Sequence, residues 1–275
     1  MSTVGIVTGA GRGMGLACAR RLAETVDALL LVDLNEEAVR KVADDLAGGA
    51  AKVHPVVLDV TDADGLQALA AQATSLGSLR SVAHAAGISP TMADWRRVIS
   101  VDLVGTALLL EALRPLAGDG TAFVCFASVA AHLSATEDDA AADAALDEPL
   151  HPELLERLQA ARAEITDSNV AYGWAKRGVQ RLVRREARRL GPVGARICSI
   201  SPGIIDTPQS RQELEHQPLM AVMLDNTPLR RMGRDDELAA VVTFLLSDEA
   251  SYLTGTDIRV DGGVLAGIEA IPWQP

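Results

Sequence analysis

Apolar residues recur along the chain in short, unbroken runs separated by longer stretches with helical spacing. Val4 to Thr8, Ala28 to Val32, Val53 to Leu58, Leu79 to His84, Thr121 to Ala127 and Ala195 to Ile200 read as strands apolar enough to be covered on both faces. Helices are predicted between them at Met14 to Val26, Asn35 to Leu46, Asp62 to Leu76, Met92 to Leu116, Asn169 to Leu190 and Asp235 to Leu246. Asn35 and either Thr61 or Asp62 suit helix starts, and Gly48-Gly49, Gly77 and Gly118 suit helix stops. A short final strand, Asp257 to Val260, precedes Asp261-Gly262-Gly263. Strands alternating with helices predict one α/β domain over residues 1–275, a doubly wound parallel sheet of about seven strands with helices on both faces. Pro55 places the third strand at a sheet edge, where a missing N–H is tolerated.

The first strand runs into the densest glycine turn of the chain. Gly9, Gly11, Gly13 and Gly15 alternate with Ala10, Arg12 and Met14. Glycine allows positive φ and close backbone approach, and a helix start offers free N–H groups and about half a positive charge. A pyrophosphate fits such a turn, so the domain reads as a Rossmann-type dinucleotide site. Asp33 ends the second strand 18 residues after Gly15, close to the ~20 expected of the acid that holds the ribose hydroxyls. A carboxylate there repels a 2′-phosphate, and Leu34 supplies no cation to receive one, so the expected cofactor is NAD rather than NADP. Arg12 is the counter-argument; its plainer reading is a solvated loop residue.

Composition narrows the possible partners. The net charge is −12, which argues against nucleic acid and anionic membrane surfaces. No apolar run is long enough to span a bilayer, and the start shows no signal peptide. Cys18, Cys125 and Cys198 have no metal-ligand spacing and read as buried reduced thiols of a cytoplasmic protein, with no metal.

Residues 130–168 break the alternation. Glu137 to Asp167 carries ten acids against Arg157 and Arg162. Its first half reads as a solvated arm. In its second half Pro152 suits a first helical turn, Leu154, Leu158, Ala161 and Ile165 form a stripe, and Glu153 can pair with Arg157. The insertion is either surface decoration or a cover for the site or a subunit interface. The basic end of the long helix, Arg181, Arg184, Arg185, Arg188 and Arg189, reads as a solvated face, with acids of the insertion as the other possible partners.

Tyr172 and Lys176 lie four apart on the long predicted helix and share a face. Free tyrosine is too weak an acid to serve as a base at neutral pH, and a neighbouring ammonium lowers its pKa. Tyr172 could then exchange a proton with an alcohol or carbonyl oxygen. Ser128 follows the fifth strand at the sheet edge where ligands bind in such folds, and could hold the same oxygen. Taken singly, a loop serine and a half-buried aromatic are the plainer readings. His132 could face the site but reads first as a loop histidine. Residues 204–233 are the expected substrate lid; within them Leu214, Leu219, Met220, Val222 and Met223 suggest a hydrophobic substrate.

Together these residues resemble the short-chain dehydrogenase/reductase family over essentially the whole chain. The resemblance assigns the cofactor loop to Thr8 through Gly15 and the adenine side to Asp59 and Val60. It puts Ala85-Ala86-Gly87 where the family has Asn-Ala-Gly, and the catalytic group on Ser128, Tyr172 and Lys176. It places Pro202, Gly203, Ile205 and Thr207 along the nicotinamide. Asp102 stands where the family has an asparagine that supports a proton relay to the lysine. The 44 positions from Ser128 to Tyr172 exceed the usual interval. A subgroup similar to bacterial 3α-hydroxysteroid dehydrogenase/carbonyl reductase carries such an insertion over helices that others use to form tetramers. The resemblance therefore implies a homo-oligomeric, NAD-dependent oxidoreductase, dimer or tetramer, acting on a hydrophobic secondary alcohol or ketone. The rival expectations are a 3-oxoacyl-carrier-protein reductase, which Asp33 disfavours, and a dinucleotide-binding sensor without catalysis.

Overall fold

The computed structural model describes residues 2–133, 139–216 and 218–269. Strands β1 (Thr3–Thr8), β2 (Ala28–Asp33), β3 (Lys52–Val57), β4 (Ser78–His84), β5 (Ala122–Phe126), β6 (Arg196–Pro202) and β7 (Asp257–Val260) form one sheet in the order β3-β2-β1-β4-β5-β6-β7. Every neighbouring pair is parallel. The chain winds outward in one direction from β1 and then in the other from β4, so a crevice opens beyond the ends of these two strands. Pro55 lies in β3, the edge strand.

Alternate strand residues face opposite sides, as the pleat requires. Val4, Ile6, Leu30 and Phe123 join one buried layer with Trp95, Leu103, Leu109 and Val179. Val7, Leu29, Leu31 and Val124 join the other with Leu22, Val39, Leu238 and Leu246. On the second side lie α1 (Gly13–Leu22), α2 (Glu36–Asp45) and α12 (Asp235–Leu246). On the first lie α3 (Ala63–Leu76), α4 (Trp95–Ile99), α5 (Gly105–Leu113) and α9 (Ser168–Leu190). Asn35 and Asp62 cap α2 and α3 through hydrogen bonds to Ala38 and Gly65.

The helix predicted from Met92 to Leu116 begins later and is not uniform. Asp94 caps α4 at Trp95, and Ser100–Val104 forms a π-helical turn before α5. This wider turn contains Asp102, which is 1% exposed.

The insertion is more ordered than its acidity suggested. After α6 (Ala130–Leu133) come α7 (Ala140–Leu146) and α8 (Leu154–Ala161). The predicted solvated arm is corrected: Ala142, Ala145 and Leu146 of α7 are buried, whereas Glu137 and Asp138 lie outside the described residues. The reason is charge pairing. Asp143 accepts two bonds from Arg177, at 2.8 and 2.7 Å, and Asp147 accepts two from Arg181, at 2.9 and 2.6 Å. Arg185 also reaches Asp147 at 3.6 Å. The basic face of α9 is thus partly covered by acids of the insertion rather than solvated, though Arg184 and Arg188 stay exposed. Leu154, Leu158 and Ile165 are buried as the stripe predicted. Arg157 pairs with Glu148 instead of Glu153, and Pro152 precedes the helix because Glu153 occupies its N-cap.

If this apolar stripe anchors the insertion, Leu158→Ala should lower the unfolding free energy by about 2–4 kcal/mol, as for other buried leucines. Urea unfolding measures it; a loss below about 0.5 kcal/mol would return the insertion to surface decoration.

Candidate active site

A cavity of about 1010 Å³ opens beyond the C-terminal ends of the central strands. One end is the glycine turn. Gly9 and Gly13 adopt φ of +68° and +54°. A Cβ on Gly9 would lie 2.8 Å from the Ala86 nitrogen, and one on Gly15 only 2.0 Å from the Gly9 carbonyl oxygen. The turn therefore closes tightly, as glycine alone permits. Arg12 stands at the N-cap of α1 without making a side-chain cap, so first-turn N–H groups remain available to an anion. Asp33 shapes the same turn, accepting from the Gly11 N–H at 2.8 Å and the Asn35 N–H at 2.9 Å.

The other end is built by α9, β5 and the π-helical turn. Asp167 caps α9 by accepting from the Asn169 and Val170 N–H groups. This capped helix presents Tyr172 and Lys176 to the cavity, one turn apart. Lys176 is buried and donates to the Phe126 carbonyl at 3.1 Å. Its Nζ also lies 3.6 Å from Asp102 Oδ2. Asp102 Oδ1 accepts from the Ile88 N–H at 2.9 Å. Burial raises the Asp102 pKa, while the Lys176 charge and these bonds pull it back. Gly87 fits beside the pair because a Cβ there would stand 2.8 Å from Asp102 Oδ1 and 3.1 Å from Lys176 Nζ.

The acidity expected of Tyr172 is corrected. Its pKa is raised, first by burial and then by Asp102, with a hydrogen bond to Ser128 acting in the lowering direction. The ammonium lies 5.5 Å from the Tyr172 ring centre. Asp102 acts in the raising direction and offsets the field expected to favour phenolate.

The remaining predicted residues converge on this cavity. Gly9, Gly11, Arg12, Gly13, Met14, Gly15, Asp33 and Leu34 line it at the turn, and Asp59, Val60, Ala85, Ala86 and Gly87 line the middle. Ser128, Pro202, Gly203, Ile205 and Thr207 line it as well. A Cβ on Gly13 would lie 3.3 Å from Thr207 Cγ2, so the turn and the segment after β6 meet there. Asp102 stands behind the wall rather than in it. Within the lid, α10 (Pro208–His216) and α11 (Pro218–Asp225) contribute Gln209, Leu219, Met220 and Met223 to the cavity. Leu214 does not line it, and Val222 is exposed. His132 turns away and contacts Asp257 at 2.9 Å and Gln180 at 3.0 Å, so it is not a site residue.

A strand-edge serine, a Tyr-x-x-x-Lys helix and a glycine turn around one cavity match the comparisons with known proteins. Residues 3–138 match the family model described as short chain dehydrogenase, and residues 157–265 the one described as Enoyl-(Acyl carrier protein) reductase. The chain belongs to the short-chain dehydrogenase/reductase family. It is 32% identical to a cis-4-hydroxycyclohexanecarboxylate dehydrogenase of Sinomonas cyclohexanicum, over 96% of each chain. It is 31% identical to a galactitol 2-dehydrogenase (L-tagatose-forming) of Cereibacter sphaeroides, over 94% of this chain and 92% of that one. A solved short-chain dehydrogenase/reductase of Brucella melitensis superposes with a TM-score of 0.75 at 29% identity, over 96% of each chain. The family uses nicotinamide dinucleotides, and the glycine cradle of this member, with its open helix start, fits such a group.

Several site residues were missed by reading the sequence. His84 joins Thr8 Oγ1 at 2.7 Å to Thr106 Oγ1 at 2.9 Å, and Thr106 donates to the Asp102 carbonyl at 2.7 Å. This buried chain ties the glycine turn to the π-helical turn. Burial, then the Lys176 charge, pulls the His84 pKa down to about 3, so the ring is neutral. Arg97 was also missed; it lines the cavity and holds Asp59 at 2.6 Å. Nothing short of knowing that β4 and α5 adjoin would have paired His84 with Thr106. Among the described residues no group of side chains is placed to hold a metal ion, and no helix is long and apolar enough to cross a membrane.

The Gly9–Gly15 contact makes a direct prediction. Gly15→Ala should force the turn apart and weaken dinucleotide binding at least about tenfold. Fluorescence titration with NADH reads this; unchanged affinity would mean that the dinucleotide does not use the turn.

Proposed function

We propose that the protein is an NAD-dependent dehydrogenase/reductase that interconverts a hydrophobic secondary alcohol and its ketone. The observation that carries this reading is that Ser128, Tyr172 and Lys176 share one cavity with the glycine turn. The named activities of the relatives, on hydroxycyclohexanecarboxylates and sugar alcohols, support CH–OH chemistry. Asp33 supports NAD, because its carboxylate lines the cavity where a 2′-phosphate would be repelled. Gly9 to Gly15, Asp33, Asp59 and Val60 would hold the adenosine and pyrophosphate side. Ala85 to Gly87, Tyr172, Lys176, Pro202, Gly203, Ile205 and Thr207 would hold the nicotinamide side. When bound, the nicotinamide accepts or donates the hydride.

The chain's own residues handle the proton. Ser128 and Tyr172 hold the substrate oxygen with their hydroxyls. Tyr172 gives its proton to a carbonyl or takes one from an alcohol. Its raised pKa keeps the phenol protonated at neutral pH, which suits reduction; oxidation gains as pH rises. Lys176, fixed by Phe126 and Asp102, stabilises the phenolate. Its partner Asp102 opposes that effect, and this opposition favours the second reading, a dinucleotide-binding sensor. Alcohol-dependent NADH formation decides between them. A cytoplasmic homo-oligomer belongs to the same proposal, and the cover that α7 places over α9 favours a dimer.

Tyr172→Phe should reduce turnover about 10²–10⁴-fold while NADH affinity stays within a few-fold. Retained turnover would remove Tyr172 from the role. Asp102→Asn takes away one of the causes that raise the Tyr172 pKa. The rising limb of the oxidation pH profile should therefore move to lower pH; a limb that stays or moves upward contradicts the electrostatic assignment.

A further inference from the structure

The charged residues lining the cavity are unevenly placed. Among the described residues they are Arg12, Asp33, Asp59, Arg97, Lys176 and Glu213. The first four sit around the glycine turn and the ends of β2 and β3, where Arg97 is already paired with Asp59. Lys176 is held behind Tyr172 by Asp102 and Phe126. That leaves Glu213 as the charge at the substrate end.

Glu213 lies on α10 and is half-buried in the lid. Its charge is close enough to Tyr172 to act on the phenol. Among the described residues no hydrogen bond or ion pair engages its carboxylate, whereas Arg211, two residues earlier, is taken by Asp206. The lid lines the cavity with apolar Leu219, Met220 and Met223 and, one turn before Glu213 on α10, with polar Gln209 and Ser210. A half-buried carboxylate without a protein partner gains most from a ligand that donates a hydrogen bond to it. It repels a ligand that brings a second negative charge.

We propose that Glu213 is a specificity-determining residue: its carboxylate accepts a hydrogen bond from a second hydroxyl of the substrate, so the site takes an apolar-bodied diol. This deepens the dehydrogenase reading and rests on it. The apolar wall holds the body of the molecule. Ser128 and Tyr172 hold the reacting oxygen, and Glu213 selects the far end. A carboxylate at that far end meets repulsion, and among the described residues no cation lines that end to offset it.

The test compares kcat/KM for trans-1,4-cyclohexanediol, cyclohexanol and trans-4-hydroxycyclohexanecarboxylate with NAD. Wild type should prefer the diol to cyclohexanol by at least about tenfold, and the carboxylate should be poorest. Glu213→Leu should bring the diol-to-cyclohexanol ratio close to one. Glu213→Gln should raise the carboxylate relative to cyclohexanol, a gain that a folding defect does not produce. An unchanged ratio in Glu213→Leu, or a wild-type preference for the carboxylate, overturns the proposal. Oxidation of none of the three by wild type counts against the dehydrogenase reading instead. Calorimetric titration of the diol into NAD-loaded wild type and Glu213→Leu then still decides the role of Glu213. Tighter binding to wild type supports it, and equal binding overturns it.

Discussion

A buried ammonium needs partners, and the position of Lys176 follows from that need. Removed from water, an unpaired charge costs several kcal/mol. Here the end of β5 supplies a carbonyl and the π-helical turn supplies the Asp102 carboxylate. Both partners are fixed by other parts of the fold. Phe126 belongs to a strand paired on both sides, and Asp102 is held by the Ile88 N–H just past β4. Lys176 can satisfy both only if α9 lies where it does. One turn earlier on the same helix, Tyr172 is then delivered beside Ser128.

The glycine turn depends on the same centre through a different route. Thr8, at the end of β1, meets His84, and His84 meets Thr106, whose hydroxyl reaches the Asp102 carbonyl. Thr8 also accepts from the Ala86 N–H at 3.2 Å. A neutral imidazole has one donor and one acceptor, which is what a chain of hydroxyls on both sides requires. Burial keeps His84 in that neutral form. The dinucleotide end and the proton-transfer end are therefore parts of one hydrogen-bonded unit, with no water needed to join them.

Most of this architecture was legible because it rests on local signals. Strand runs, Asn35 and Asp62 as caps, Pro55 at the edge and the glycine spacing each have a short-range physical cause. The site residues were legible as far as they lie in short motifs. What stayed hidden depends on contacts between distant segments. The acids of α7 looked solvated because composition does not say which helix they face; Arg177, Arg181 and Arg185 are 34 to 38 positions away from their partners Asp143 and Asp147. The acidity of Tyr172 was misjudged for the same reason. Lys176 is a local neighbour four residues away, whereas the burial that raises the Tyr172 pKa first, and Asp102 after it, come from distant segments, Asp102 from 70 positions earlier.

The insertion bears on catalysis through this same helix. One face of α9 carries Tyr172, Lys176 and Gln180; the last of these is held by His132 and Ser201. The face offset by one residue carries Arg177 and Arg181, clamped by α7. Beside the arginines Trp174 is buried, with Arg162 and Arg177 each 5.0 Å from its ring centre. Exposed ion pairs contribute little, but these are bidentate and partly buried. Held on both sides, α9 has little freedom to roll. A roll of one residue would turn Tyr172 by about 100° and carry it out of the cavity. By this argument the insertion does not need to touch substrate to matter: it limits the motion of the helix that places the phenol.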